Sequence, residues 1–149
     1  MWATRIVNTA PNGSDSMNST RRAAFVFVFL WFAIGGIFHF AATRLEMSIV
    51  PPYIPWPRAT VLVSGVFELL GAAGMLIPRV RRAAGVGLVL LTIAVTPANI
   101  FMLEHADLFQ IPVWVLQLRL IFQVFLLALI LWATWPPARP RRAARPAMS

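Results

Sequence analysis

The sequence predicts an all-α membrane protein, a four-transmembrane-helix antiparallel bundle. Three observations favour this class. Of the 149 residues, 59% are hydrophobic and 12% are charged, and the mean hydropathy of +0.74 is too high for an ordinary soluble domain. Four apolar runs approach or exceed the ~20 residues that cross a bilayer, and proline- or arginine-rich segments separate them. One membrane domain, residues 21–135, is therefore predicted, with helices over residues 23–42, 59–77, 83–103 and 113–135.

All thirteen basic residues are arginines, and they lie almost wholly between and outside the apolar runs. Such a distribution is typical of membrane topology and argues against a nucleic-acid partner. If the N-terminus is cytoplasmic, ten arginines lie on the cytoplasmic side and two, Arg44 and Arg58, outside. Because cytoplasmic segments are enriched in arginine, both termini are predicted to be cytoplasmic. With no cysteine in the chain, disulfides, cysteine-ligated metal centres and thiol relays are excluded.

The two ends of the chain are polar. Residues 1–20 have no apolar core and are predicted to form a disordered cytoplasmic leader, in which Met17 is an alternative start. A cleaved signal peptide is a rival interpretation of the first span, but its twenty residues exceed the usual apolar core of ~7–15. Residues 136–149 combine arginine with proline, which predicts a disordered cytoplasmic tail in contact with anionic lipid.

Residues 43–58, between the first two spans, contain four prolines. Proline forbids continuous helix, so a loop is predicted. Tyr53 and Trp56 suit the headgroup layer, and two interpretations stand: an interfacial connector, or a lid over the outer mouth of the bundle.

The second span contains a single ionisable residue, Glu68, close to its middle. A charge at that depth costs about 2.5–3.5 kcal/mol, whereas each large apolar residue returns about 0.3–0.6 kcal/mol. The span can insert, but a partner for Glu68 inside the bundle would widen the margin. Glu68 also shares a helix face with small residues, where a neighbouring helix can approach closely: Ser64, Gly65, Gly71 and Ala72, together with Met75.

The third span follows a tight basic turn and contains Pro97, a predicted helix break. Proline deprives the Ile93 carbonyl of its helical donor, which is tolerated only where protein or water replaces it. Thr92, Thr96 and Asn99 mark the face where the replacement is expected. Residues 104–112 are predicted to form a short acidic loop before the fourth span, which carries Gln117, Arg119 and Gln123.

Five polar residues are expected at similar depths on the four helices, given a rise of about 1.5 Å per residue: Glu68, Arg119, His39, Asn99 and Gln123. We expect Glu68 and Arg119 to form an ion pair, or to share a hydrogen-bond network with the other three. Either a ligand-binding or proton-handling site or a buried clamp without a ligand would explain them. No catalytic residue is assigned, and His39 with His105 is too sparse a set to predict a metal.

Several short motifs resemble the DoxX family of small four-helix membrane proteins. They are the His39–Phe40 pair, residues 50–55 (VPPYIP), residues 64–71 (SGVFELLG), Pro97-Ala98-Asn99, and Arg119 with Gln123. The resemblance implies the bacterial inner membrane and, from some relatives, a part in membrane redox complexes; the family takes its name from thiosulfate:quinone oxidoreductase. Ile121 departs from it, because the family often has proline there.

Three functions follow as expectations. The first is a subunit or accessory of a membrane redox system that binds a quinone-like molecule in an outer-half polar pocket. Such a protein has no intrinsic cofactor and is not catalytic alone, so it requires an oxidoreductase partner. The second is a small transporter or proton pathway, and the third is a structural membrane protein without a ligand. A homo-oligomer is left open.

Overall fold

The computed structural model describes residues 18–135, which form seven helices. They are α1 (Ser19–Ala41), α2 (Thr43–Ser48), α3 (Pro57–Leu76), α4 (Arg81–Ala94), α5 (Thr96–Glu104), α6 (Ala106–Phe109) and α7 (Val113–Thr134). Four stretches are long and apolar enough to cross a membrane: α1, α3, α4 with α5, and α7. The all-α four-span prediction is confirmed. The predicted tail and all but the last three residues of the predicted leader lie outside the described residues.

The four spans form a closed ring, in which α1 packs against α3, α3 against α4, α4 against α7, and α7 against α1. Each span presents large apolar side chains on its outer surface, for example Ile37, Leu70, Leu90 and Val124, each at least 60% exposed. An apolar surface of this extent is unusual for a soluble monomer but suits contact with lipid. The protein is therefore a multi-pass membrane protein.

The tightest packing lies at one end of the ring, where α1 and α4 begin and α3 and α7 end. Val28, Met75, Leu88 and Ile130, one from each span, are at most 1% exposed there. Toward the opposite end, where α2 and α6 lie, the helices leave room between them. The fold is therefore solid at one end and hollow at the other.

Glycines permit the closest helix contact, between α1 and α3. A Cβ atom built on Gly36 would lie 3.1 Å from the Gly65 carbonyl oxygen, and one built on Gly65 would lie 3.1 Å from that of Gly36. Neither residue therefore has room for a larger side chain. This contact fixes the rotation of α1 and α3 and brings His39 against Gly65, one turn from Glu68.

The connections contain more helix than the sequence predicts. Residues 43–48, expected to be part of a loop, form α2, because the four prolines begin only at Pro51 and the preceding residues can continue helical backbone. Residues 106–109 form the short helix α6 inside the expected acidic loop. The third span divides at Val95 into α4 and α5, and Pro97 occupies the first turn of α5, where its missing N–H is tolerated.

Candidate functional site

A cavity of about 610 Å³ opens between the spans in the half of the bundle that faces α2. All five polar residues singled out from the sequence line it: His39, Glu68, Asn99, Arg119 and Gln123. Most of the remaining wall is apolar or aromatic. Its volume falls within the range of about 300–1,000 Å³ that small-molecule sites occupy, and apolar walls with a few polar groups are typical of such sites.

His39 and Glu68 form one polar pair in this cavity. The His39 Nε2 atom lies 3.4 Å from Glu68 Oε1, and both side chains are about 15% exposed. The pairing depends on the Gly36–Gly65 contact and on Gly35, since a Cβ on Gly35 would lie 2.7 Å from Glu68 Oε2. The carboxylate is thus held against the backbone of α1.

On its other side, the imidazole of His39 faces an acid that sequence reasoning did not select. Glu46 of α2 places Oε2 at 3.8 Å from His39 Nδ1, and its side chain is 19% exposed. Glu46 belongs to residues 43–58, for which the sequence predicts a loop, and a loop residue has no predicted helix face or depth in the bundle. Its spacing from His39, seven residues in a chain that stays nearly helical across Ala42, is the signal that places both on one face.

The expected ion pair between Glu68 and Arg119 is wrong. In residues 18–135, the carboxylate of Glu68 pairs with His39 and lies beyond 4.0 Å from any guanidinium. Arg119 lies on a more exposed part of the cavity wall, where Nη1 contacts the Met102 sulfur at 3.7 Å. Because a thioether is a weak acceptor, most of the hydrogen-bonding capacity of Arg119 is unused within residues 18–135.

Asn99 and Gln123 form a second polar group, which closes the break in the third span. The Asn99 amide donates to Gln123 Oε1, and Gln123 Nε2 donates to the Thr92 carbonyl oxygen at 3.0 Å and to Thr96 Oγ1 at 2.5 Å. A donor across the bundle therefore reaches a carbonyl at the break, on the face where a replacement is predicted. The carbonyl is that of Thr92 and not the predicted one of Ile93, because α4 already ends at Ala94, before Pro97.

Two buried atoms of cavity-lining residues, His39 Nδ1 and Glu68 Oε2, have no hydrogen-bond partner among the described residues. Both are enclosed by protein, since Glu68 Oε2 lies beside Gly35 and His39 Nδ1 lies on the side of Glu46. His39 and Arg119 can donate and Glu68 can accept. The cavity thus offers both donors and an acceptor to a polar headgroup.

The proline-rich segment between α2 and α3 contributes to the wall as well. Val50, Pro51 and Ile54 line the cavity, and Pro51 is fully buried. Tyr53 and Trp56, in contrast, are more than 70% exposed. The segment therefore contributes to this end of the cavity, and the interfacial connector and the lid both stay predictions.

Comparison with known proteins yields one family, and it is not the one suggested by the short motifs. The DoxX resemblance is wrong, since the matching family profile is a different one. The redox role, the quinone-like ligand, the oxidoreductase partner and the bacterial inner membrane were implied by that resemblance and stay predictions without support from a family. No curated protein and no solved structure matches the chain. The match covers residues 28–136, and the chain therefore belongs to the family described as a domain of unknown function, DUF8561.

Proposed function

We propose that this protein binds a small lipophilic molecule with a polar, hydrogen-bonding headgroup, inside the membrane. The observation that carries the proposal is a largely apolar cavity of about 610 Å³ whose wall brings together His39, Glu68 and Arg119. Apolar walls with a few convergent polar groups are typical of small-molecule sites.

The arrangement favours a headgroup that both accepts and donates hydrogen bonds. Arg119 and the imidazole of His39 supply donors, and the carboxylate of Glu68 supplies an acceptor. Trp31 and Phe122, whose ring centroids are 4.7 Å apart and whose planes are inclined by 51°, add aromatic surface to the same cavity. A quinone and its quinol fit these requirements, since a planar ring carries carbonyl oxygens in one form and hydroxyl groups in the other, and they are our first choice of probe.

The test is saturable binding of a short-chain quinone to the full chain in lipid nanodiscs, measured by quenching of tryptophan fluorescence, because Trp31 lies on the cavity wall. Decanol, which has an apolar chain but no ring, serves as the control ligand in this assay. Glu68→Gln removes the charged acceptor, which is worth about 1.5–3 kcal/mol, so we expect binding at least about tenfold weaker. Glu104→Gln, an exposed acid outside the cavity, should bind as the native chain does. Equal quenching in both variants, or quenching that never saturates, would refute the proposal.

A second candidate is a proton pathway, and one observation favours it. Glu46, His39 and Glu68 form a series of titratable groups that leads from the α2 end of the bundle toward the middle of α3, with separations of 3.8 and 3.4 Å. Intramembrane acids and histidines often form such relays. Proton flux into proteoliposomes, followed with an internal pH dye, should then require both Glu46 and Glu68. No flux above that of empty vesicles would exclude this candidate. If the quinone also fails to bind saturably, a structural role remains.

For orientation, we propose that both termini face the cytoplasm, because ten of the thirteen arginines then lie on that side. Single cysteines give a direct test, since the native chain has none. In intact cells, an impermeant maleimide should label Ser48→Cys and spare Arg79→Cys, whose sites lie at opposite ends of the bundle. The reverse pattern would invert the topology.

A further inference from the structure

Three arginines gather at the solid end of the bundle, far from the cavity: Arg21 on α1, and Arg81 and Arg82 on α4. We refer to them as the arginine cluster. The Arg81 guanidinium lies over the Phe25 ring, with Cζ 4.9 Å from the ring centroid, and Phe25 stands one turn after Arg21 on α1. Arg82 lies over Trp135, at the end of α7, with Cζ 5.8 Å from the ring. The cluster thus spans the ends of α1, α4 and α7.

Arg21 is the unusual member. It belongs to the inward stripe of α1, three and seven residues before the core residues Ala24 and Val28, and is 9% exposed. Its Nε and Nη2 atoms are buried without a hydrogen-bond partner among the described residues. A buried charge of this kind needs a compensating group, because desolvation without pairing is costly.

The structure around Arg21 adds positive charge, and within residues 18–135 no acidic side chain pairs with it. Arg21 lies in the first turn of α1, whereas Arg81 and Arg82 lie in the first turn of α4. Neither turn contains an acidic residue. Helix N-termini carry partial positive charge and favour anions. Within residues 18–135, the acids are Glu46, Glu68, Glu104 and Asp107, all on other elements, and none pairs with an arginine.

We infer that the arginine cluster binds the phosphate of an anionic phospholipid. Guanidinium groups bind phosphate oxygens through paired N–H donors, and basic pockets between helix ends are typical sites of anionic headgroups. Acyl chains would lie along the exposed apolar surface of the spans, for example at Val86 of α4, which is 40% exposed and lies one turn after Arg82. The Nε atom of Arg81 donates to the Met75 carbonyl oxygen at 2.7 Å, which fixes the position of its guanidinium at the end of α3.

Native mass spectrometry of the full chain, released from micelles that contain phosphatidylglycerol or phosphatidylcholine, tests the site. We expect the native protein to retain phosphatidylglycerol selectively. Arg21→Gln should reduce that retention about tenfold, as expected for the loss of one charge-assisted hydrogen-bond pair. Because a buried position can affect folding, Arg82→Gln, at an exposed position, serves as a second variant with the same expected direction.

Arg22→Gln is the matched control, since Arg22 is adjacent in sequence but exposed and outside the cluster. It removes the same charge from the same membrane face and should leave retention unchanged. Inorganic phosphate, added as a competitor, distinguishes the sources of the anion: we expect it to displace little lipid, and full displacement would indicate a site for a free phosphate instead. Equal losses in Arg22→Gln and Arg82→Gln, or no selectivity for phosphatidylglycerol, would overturn the inference.

Discussion

Substitution of Gln123 by leucine tests whether a side chain of α7 holds the broken third span together. The change keeps the approximate volume of the side chain, so the packing cost should be small, but it removes three hydrogen bonds: one from Asn99, one to the Thr92 carbonyl and one to Thr96. Side-chain hydrogen bonds inside membrane proteins average about 0.6 kcal/mol, which gives about 2 kcal/mol for three.

An orphaned group adds to this value. The Thr92 carbonyl keeps a bond from Thr96 Oγ1 at 3.2 Å, whereas the Asn99 amide, 8% exposed, loses its acceptor at a cost of about 1–3 kcal/mol. We therefore expect Gln123→Leu to lower the free energy of unfolding by about 3–5 kcal/mol.

The assay is reversible unfolding in mixed micelles titrated with SDS, followed by circular dichroism. Gln117→Leu is the control, because Gln117 lies on the same helix but is exposed; we expect it to change stability by less than about 0.5 kcal/mol. If the two variants unfold together, the Gln123 amide does not hold α4 and α5, and the assignment of this group is wrong.

Two glycine substitutions separate the site from the scaffold. Gly35→Ala places a Cβ 2.7 Å from Glu68 Oε2, the far end of a flexible side chain, so quinone binding should weaken about tenfold. Its stability should stay within about 1 kcal/mol of the control Gly87→Ala, whose added Cβ meets nothing within 4 Å. Quinone binding equal to that of the control would contradict the geometry. Gly65→Ala places a Cβ 2.8 Å from the His39 Cβ. In the SDS titration it should lower the free energy of unfolding by about 1–3 kcal/mol. A variant as stable as the native chain would show that α1 and α3 are not in tight contact.

The sequence was sufficient to predict the four spans and the depth at which polar residues gather. Hydropathy and the rise per residue determine both, and these quantities need no knowledge of how the helices rotate. Because the five selected residues were placed at similar depths, it follows that one cavity is lined by all of them. The break near Pro97 was also predictable, because proline removes a donor wherever the helix lies.

Pairing partners were not predictable, since they depend on the rotation of each helix about its axis. Glu68 and Arg119 have opposite charges at neighbouring depths, which favoured an ion pair between them. The Gly36–Gly65 contact instead turns Glu68 toward His39, on α1. Whether two glycines on different helices meet is a tertiary fact that the pattern of one chain does not contain.

The mistaken family has a related explanation. The motifs that suggested it are small residues around a lone acid, prolines in a connector, and a proline-broken span with an amide nearby. Each of these is required by helix packing and by hydrogen-bond satisfaction in a bilayer. They therefore recur in small membrane bundles whatever their ancestry.

Protection of an introduced cysteine gives the most direct test of the proposed cavity site. Ser64 lies on the cavity wall, one turn before Glu68. Ala73 is exposed on the same helix, outside the cavity. Because the chain has no other cysteine, N-ethylmaleimide labelling of Ser64→Cys and Ala73→Cys reports each position alone. The short-chain quinone should slow labelling at position 64 and leave position 73 unchanged. Unaltered rates at both positions, or equal slowing at both, would contradict a ligand site between the helices.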